Sequence, residues 1–248
     1  MRTFIKINYA IFATISVFSC YIYGEPVNSG KTGQKIYSMD KKIKDDGRRG
    51  HDAMGPLQLA VKRIIDFVSA LVGMVVLSPV FLVIYLMLKR QKNGPAIFSQ
   101  ERIGYGGKPF IIYKFRTLSD NEEEPRLVAK CDSSTSTRTE RFLREHHLDE
   151  LPQLWNVLKG DMSFVGPRPE RKYFIDKIMA VAPEYVLIYK MKPGLTSEAT
   201  LYNGYTDTME KMLIRLNMDI RYLERRSLRL DLSIVVRTAA SMLSGRKF

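Results

Sequence analysis

Two long apolar runs dominate the pattern of the chain. The first, residues 7–23, lies near the lower length limit for a membrane span. Arg2 and Lys6 before it also give it the look of a signal peptide. Basic residues are far denser after the run (Lys31, Lys35, Lys41, Lys42, Lys44, Arg48 and Arg49), which puts the downstream side in the cytoplasm by the positive-inside rule. The expectation is an uncleaved anchor with its N-terminus outside. Residues 24–55 are polar and basic, lack apolar periodicity, and read as a linker.

The second run, residues 64–88, is long enough as a straight helix to cross a hydrocarbon core about 30 Å thick. Both its flanks are basic, with Lys62 and Arg63 before and Lys89, Arg90 and Lys92 after. A straight span would put one cluster on the disfavoured side. Ser78-Pro79 lies inside, where proline removes a backbone hydrogen bond and clashes with the preceding turn. Split there, the arms measure roughly 22 and 15 Å, each too short to cross. The pattern predicts a kinked segment that enters and leaves on one face. A simple span with a tolerated proline is the alternative. Asp66, costly at mid-membrane, sits one turn from Lys62 and Arg63.

Beyond the run, short apolar stretches at 96–100 and 110–115 flank Gly104-Tyr105-Gly106-Gly107-Lys108-Pro109, a β-hairpin pattern. Residues 121–139 are acidic, then rich in Ser and Thr, and read as a loop. Leu151, Leu154, Trp155 and Leu158 recur at helical spacing, with Pro152 tolerable in a first turn and Gly160 as a stop. Residues 172–192 look helical with an interruption at Pro183, and 209–223 and 228–243 give two more helices. The expected fold is α+β, mainly helical with a small β-hairpin. Arg221, Arg225, Arg226 and Arg229 predict a positive surface facing lipid headgroups.

Charge narrows the partners. The 248 residues carry a formal net charge of +13, which suits an anion without choosing among nucleic acid, anionic lipid and nucleotide. Cys20 and Cys131 stand in unlike surroundings and imply no disulfide framework.

Candidate chemistry concentrates in residues 148–170, LDELPQLWNVLKGDMSFVGPRPE. Asp149 and Glu150 stand at the start of a short helix, and Gly166-Pro167-Arg168-Pro169 presents one guanidinium on a rigid segment. Carboxylates at the positive end of a helix beside an arginine make a workable site for phosphate chemistry. The same residues also read as an N-cap and a first-turn acid. Lys108 in the glycine-rich turn serves either turn chemistry or an anion. Lys114 and Arg116 alternate along the second strand and point to one face, which is commonly a solvated one.

Four ordered stretches resemble the bacterial sugar transferase family, the monotopic polyprenol-phosphate phosphoglycosyl transferases. They are Ser78-Pro79, residues 100–117 from Gln100-Glu101-Arg102 to Tyr113-Lys114-Phe115-Arg116-Thr117, residues 148–170, and Lys192-Pro193-Gly194-Leu195-Thr196 with a tail holding Asp219, Tyr222, Ser227, Leu230 and Asp231. The likeness covers residues 57–248. It implies transfer of a sugar-1-phosphate from a UDP-sugar to undecaprenyl phosphate, releasing UMP, as the first membrane step of exopolysaccharide or glycoconjugate synthesis. Under it, Asp149 is the nucleophile that forms an aspartyl phosphosugar and Glu150 holds Mg²⁺. Lys108, Lys114, Arg116 and Arg168 bind the donor, and Ser78 and Pro79 form a re-entrant membrane hairpin. Lys62, Arg63, Lys89 and Arg90 attract the lipid phosphate.

The implied organisation is an anchor or signal-like segment (1–24), a basic linker (25–56), a re-entrant membrane helix (57–92) and a catalytic domain (93–248) facing the cytoplasm at the bacterial inner membrane. Partners are the UDP-sugar, undecaprenyl phosphate and membrane lipid. The sequence holds no nucleic-acid module, so nucleic acid is not expected, and a homodimer is compatible with such surfaces. Alternatives are Asp149 as general base for direct lipid attack, an inactive membrane scaffold of the family, and a basic membrane-tethered anion- or nucleic-acid-binding protein. Four features depart from the family pattern. Ser133-Ser134-Thr135 stand where Asp-Pro-Arg is common, Glu140 replaces a glycine, His146-His147 replace small hydroxyl residues, and Ser197-Glu198-Ala199-Thr200 follow Thr196. The two histidines read as pocket-edge or surface residues, since neighbours in a helix point apart.

Overall fold

The computed structural model describes residues 50–91, 94–117, 137–203, 206 and 208–243. The expected anchor, the linker up to residue 49, Ser133-Ser134-Thr135 and most of the 121–139 loop lie outside the described residues.

The second apolar run forms one helix, α1 (Pro56–Arg90), with proline at its start and Lys89 and Arg90 in its last turn, where the helix dipole favours cations. Pro79 lies inside it. A proline there leaves the carbonyl of Val75, four residues back, without its usual N–H. The Ser78 hydroxyl donates to that carbonyl at 2.7 Å. The Ser-Pro pair therefore repairs its own gap, and one helix runs through the point at which the pattern predicts a kink.

One stripe of α1 packs against the rest of the protein. Lys62, Asp66, Ala70, Ile84 and Leu88 are buried, and Gly73 sits under Leu154, which a Cβ would meet at 3.3 Å. The opposite faces expose large apolar side chains, among them Ile64, Phe67, Val72, Val76, Leu82 and Leu86. Among the described residues, α1 is the helix long and apolar enough to cross a membrane.

The hairpin follows as β1 (Ile97–Ile103) and β2 (Pro109–Phe115), antiparallel, with Ile97 opposite Phe115 and Ile103 opposite Pro109. Both strands extend beyond the predicted runs. Next come α2 (Arg138–Glu145), a 3₁₀ turn (Leu148–Glu150) and α3 (Gln153–Lys159). α2 begins where the pattern predicts loop, because Thr137 and Glu140 form a reciprocal capping box. That bond, from Thr137 N–H to Glu140 at 2.8 Å, accounts for an acid where the family carries glycine. α3 ends at Gly160, whose φ of 94° is the left-handed conformation a C-terminal stop uses.

The remaining elements are β3 (Ser163–Val165), α4 (Lys172–Val181), a 3₁₀ stretch (Pro183–Lys190), β4 (Gly194–Thr196), α5 (Glu198–Asn203), α6 (Met209–Arg225) and α7 (Leu228–Leu243). The interruption expected at Pro183 is where α4 gives way to the 3₁₀ stretch. The parallel pair β3–β4 was not legible, since three residues are too few for a strand period. At this pair a Cβ on Gly166 would lie 2.2 Å from the Lys192 carbonyl oxygen, so only glycine permits the approach.

The main core gathers Phe174, Ile178, Tyr185, Met212, Leu216 and Leu223 from α4, the 3₁₀ stretch and α6. Two smaller cores both include α1. Ala70 joins Ile112, Val157 and Met162, while Ile84 and Leu88 join Phe115 and Leu143. Polar contacts reinforce the first. Lys62 pairs with Asp231 of α7 at 2.5 Å, and Asp66 accepts from Phe164 N–H at 3.1 Å. Arg63 donates to the carbonyls of Val157 and Leu158 at the end of α3, at 2.6 and 2.8 Å. Lys62 and Arg63 thus hold the fold rather than a lipid phosphate. Likewise Arg226 is buried on Asp52 and leaves the headgroup-facing surface expected of it, whereas Arg225 stays exposed and pairs with Glu198.

Candidate active site

α2 and the 3₁₀ turn are joined by His147, whose φ of 52° makes it the positive-φ non-glycine residue among those described. Histidine is one of the side chains that tolerate this conformation. The reversal delivers Asp149 and Glu150 on the 3₁₀ turn, ahead of α3 rather than within it. The cap of α3 is Pro152, and no side chain caps the 3₁₀ turn or α3. The N-cap reading of Asp149 is therefore set aside, while Glu150 does stand as a first-turn acid, in the 3₁₀ turn.

Glu150 Oε1 accepts from Lys114 Nζ at 2.5 Å and from Arg168 Nη2 at 3.1 Å. Burial works to raise the Glu150 pKa, but Lys114 and Arg168 outweigh it and hold the carboxyl well below its usual range. Asp149 goes the other way. Burial, then the negative charge of Glu150, push it up to about 6 against the pull of Lys114, Arg144 and Arg168. One carboxylate is thus fixed as an anion while its neighbour keeps a proton far more readily, an arrangement typical of reactive pairs.

Arg168 is placed by a clamp on both sides of its segment. Gly166 N–H donates to Thr196 O at 3.1 Å and Gly194 N–H to Pro167 O at 3.0 Å. On the far side, Arg102 donates to Pro169 O at 3.2 Å and Arg215 to Glu170 at 2.5 Å. The guanidinium is half-exposed, and Glu150 beside it raises its pKa further.

The other sequence candidates go elsewhere. Lys108 is exposed in the hairpin turn, six residues from Lys114 and about 20 Å along the strand. Arg116 is buried, donating to Pro95 O at 3.1 Å and to Leu88 O at 3.3 Å. β2 ends at Phe115, so strand alternation no longer governs Arg116, and one last-turn carbonyl of α1, Leu88 O, and the Pro95 carbonyl before β1 supply its acceptors. It ties α1 to the hairpin instead of joining Glu150.

Two further residues surround the acids: Arg144, which sequence reasoning did not place there, and His147, which it read as pocket edge or surface. Arg144, from the last turn of α2, lowers the Asp149 pKa. Nothing in its spacing signals this, because a basic residue in a last helical turn ordinarily serves the dipole. His147 is half-buried, and burial, opposed by Glu150 and aided by Arg168 and Lys114, lowers its pKa. It is part of the site, whereas His146 is exposed, its Nδ1 at 2.9 Å from Phe142 O.

Magnesium is usually held by one or two carboxylates together with substrate phosphates and water. Lys114 and Arg168 both use Oε1 of Glu150, which leaves Oε2 and the Asp149 carboxylate as oxygen donors. That set fits a metal shared with a diphosphate. No group of three or more His, Cys, Asp and Glu side chains among the described residues forms a cage that would bind the ion unaided.

Comparison with known proteins gives the family of the chain. The family model described as bacterial sugar transferase matches residues 57–245. A UDP-glucose:undecaprenyl-phosphate glucose-1-phosphate transferase of Caulobacter vibrioides is 43% identical over 197 residues, covering 77% of this chain and 74% of that protein. A UDP-N-acetylgalactosamine-undecaprenyl-phosphate N-acetylgalactosaminephosphotransferase of Aeromonas hydrophila is 35% identical over 191 residues, covering 77% of this chain and 45% of the relative. The chain thus spans less than half the length of the Aeromonas protein. The uncharacterized sugar transferase EpsL of Bacillus subtilis is 34% identical over 185 residues, covering 75% and 88%. Residues 57–245 carry the dyad, the arginine clamp and the long apolar helix, and with them the chain belongs to the bacterial sugar transferase family.

Proposed function

We propose that the protein transfers a sugar-1-phosphate from a UDP-sugar to undecaprenyl phosphate. The observation that carries this reading is the pair Asp149–Glu150, split in pKa and ringed by Lys114, Arg144 and Arg168. The difficulty of the reaction is that one anion must attack another. A covalent intermediate divides it into two displacements that each acceptor approaches separately.

In the first, an oxygen of ionised Asp149 bonds to the phosphorus that carries the sugar. The bond from that phosphorus to the bridging oxygen breaks, and UMP leaves with the electron pair. In the second, a phosphate oxygen of the lipid attacks the same phosphorus, the bond to Asp149 breaks, and the carboxylate is restored. Lys114 and Arg168 hold the diphosphate oxygens, and their fixed positive charge favours the transition state. Glu150, with the neighbouring Asp149 carboxylate, would hold Mg²⁺, which would neutralise diphosphate charge and favour departure of UMP.

The raised pKa of Asp149 also suits a general base. A phosphate acceptor already presents an anionic oxygen near neutral pH and needs no base to create one, which favours the nucleophilic role.

The membrane reading rests on α1. Both its early and late turns pack against the same body, through Lys62 and Asp66 at one end and Ile84 and Leu88 at the other. That packing supports the reading of a helix that enters and leaves on one face, with its exposed apolar side chains in lipid. On this reading the protein sits in the bacterial cytoplasmic membrane, its catalytic body in the cytoplasm. The relatives' names make UDP-glucose and UDP-N-acetylgalactosamine the first donors to try.

The test is UMP release by membranes holding the protein, with undecaprenyl phosphate, Mg²⁺ and a panel of UDP-sugars. Release with one or two donors, lost on chelation and in Asp149→Asn, is expected. Single-turnover trapping should yield a sugar-phosphate adduct absent from that variant. Release without any adduct would support the general base, and no release from folded protein with any donor would favour a scaffold.

A further inference from the structure

Asn156 lies in the middle of α3 and is fully buried. Its side chain meets the backbone of β2 twice. Oδ1 accepts from Tyr113 N–H at 3.2 Å, and Nδ2 donates to the Ile111 carbonyl at 2.6 Å. The hairpin has two strands, and β1 occupies the opposite edge of β2. The amide therefore does for this edge what a neighbouring strand would do, satisfying a carbonyl and an N–H two residues apart.

Asn156 is itself immobile. Its backbone carbonyl accepts from the N–H groups of Gly160, Asp161 and Met162, at 3.1, 3.0 and 3.2 Å. It belongs to the same short turn-and-helix unit as Glu150, while Lys114 follows Tyr113 directly on the strand it grips. The 2.5 Å contact between Lys114 and Glu150 thus closes a gap whose width and register Asn156 sets.

We infer that Asn156 is a positioning residue for the transfer reaction, acting through Lys114. This rests on the function proposed above. Without the two amide bonds, β2 can slide or lift against α3, and a displacement near 1 Å at a reacting group costs up to about a hundredfold in rate. A residue that acts solely through another shows its effect only while that other is present.

The experiment combines amide hydrogen exchange with a double-mutant cycle on the full chain in membranes or detergent. Asn156→Ala should speed exchange at the Tyr113 amide and lower kcat for UMP release on the order of tenfold. In a Lys114→Met background the same substitution should change kcat less than about twofold. Asn156→Ser, a smaller perturbation, should follow the same pattern and serves if the alanine variant does not accumulate. Equal losses in both backgrounds would overturn the inference, as would unchanged exchange at Tyr113. If the unaltered protein released no UMP, the reaction and with it this role would fall, and the exchange result would still decide whether the amide holds β2.

Discussion

Lys114 and Arg168 converge on one oxygen of Glu150, at 2.5 and 3.1 Å, although one comes from the hairpin and the other from the segment after β3. On the proposed mechanism, these two cations from separate elements are where the negative charge of the donor is received.

Removing either cation should therefore damage transfer more than folding. Lys114→Met and Arg168→Gln should each lower kcat/KM for the donor by about 10²–10³, the range for losing one preorganised charge partner. Steady-state UMP release compared with thermal unfolding checks this. A matching collapse of stability with no specific kinetic loss would make the pair structural.

The split between the two acids predicts a pH dependence. On the proposed mechanism Asp149 acts ionised, and its pKa is pushed up to about 6. Activity should rise as pH climbs through about 6 and fall as pH drops below it. Lys114 and Arg168 oppose that rise, so Lys114→Met should move the acidic limb to higher pH. A flat kcat/KM profile between pH 5 and 8 would contradict the assignment.

These acids show how far the sequence could be read. The family's motifs put Asp149, Glu150 and Arg168 together, and the structure unites them with Lys114. Lys108 and Arg116 share a motif with Lys114 but not its place, because a motif records neighbours along the chain and says little about which backbone carbonyl will claim a side chain. Arg144 was invisible for the converse reason, being brought to Asp149 by the packing of α2. The hairpin and the long helices were legible from period and length. The β3–β4 pair was not, since glycine-to-glycine backbone contact leaves no hydrophobic pattern.

Ser78 and Pro79 should be energetically coupled. With Pro79 present, Ser78→Ala leaves the Val75 carbonyl unserved and should cost about 0.5–1.5 kcal/mol. Pro79→Ala restores the N–H, and in that background Ser78→Ala should cost almost nothing. Unfolding in detergent across the four combinations measures the coupling, and additive losses would refute the repair.

Asp219 predicts a pH effect on stability rather than on catalysis. It is buried beside Arg215 and the cavity behind Arg168, and burial raises its pKa to about 7. The folded protein keeps this proton up to about pH 7, whereas the unfolded chain sheds it near the ordinary value of 3.8. Between those values the folded state binds more protons, so this group's contribution to stability falls as pH rises. Asp219→Asn should be the more stable protein at pH 8, with its advantage shrinking toward pH 5. Melting temperatures at the two pH values provide the check, and an advantage that grows on acidification would reverse the sign.

The way α1 is held has a practical consequence for anyone cutting this chain. Cleaving ahead of residue 93 would appear to separate a membrane anchor from a water-soluble enzyme. It would instead pull Ile84 and Leu88 out from under Phe115 and Leu143, and Ala70 from beside Val157. It would also strip Asp231 of Lys62 and Phe164 N–H of Asp66. The anchor is the floor of the enzyme, so detergent or a lipid nanodisc must stand in for the bilayer, and truncation cannot.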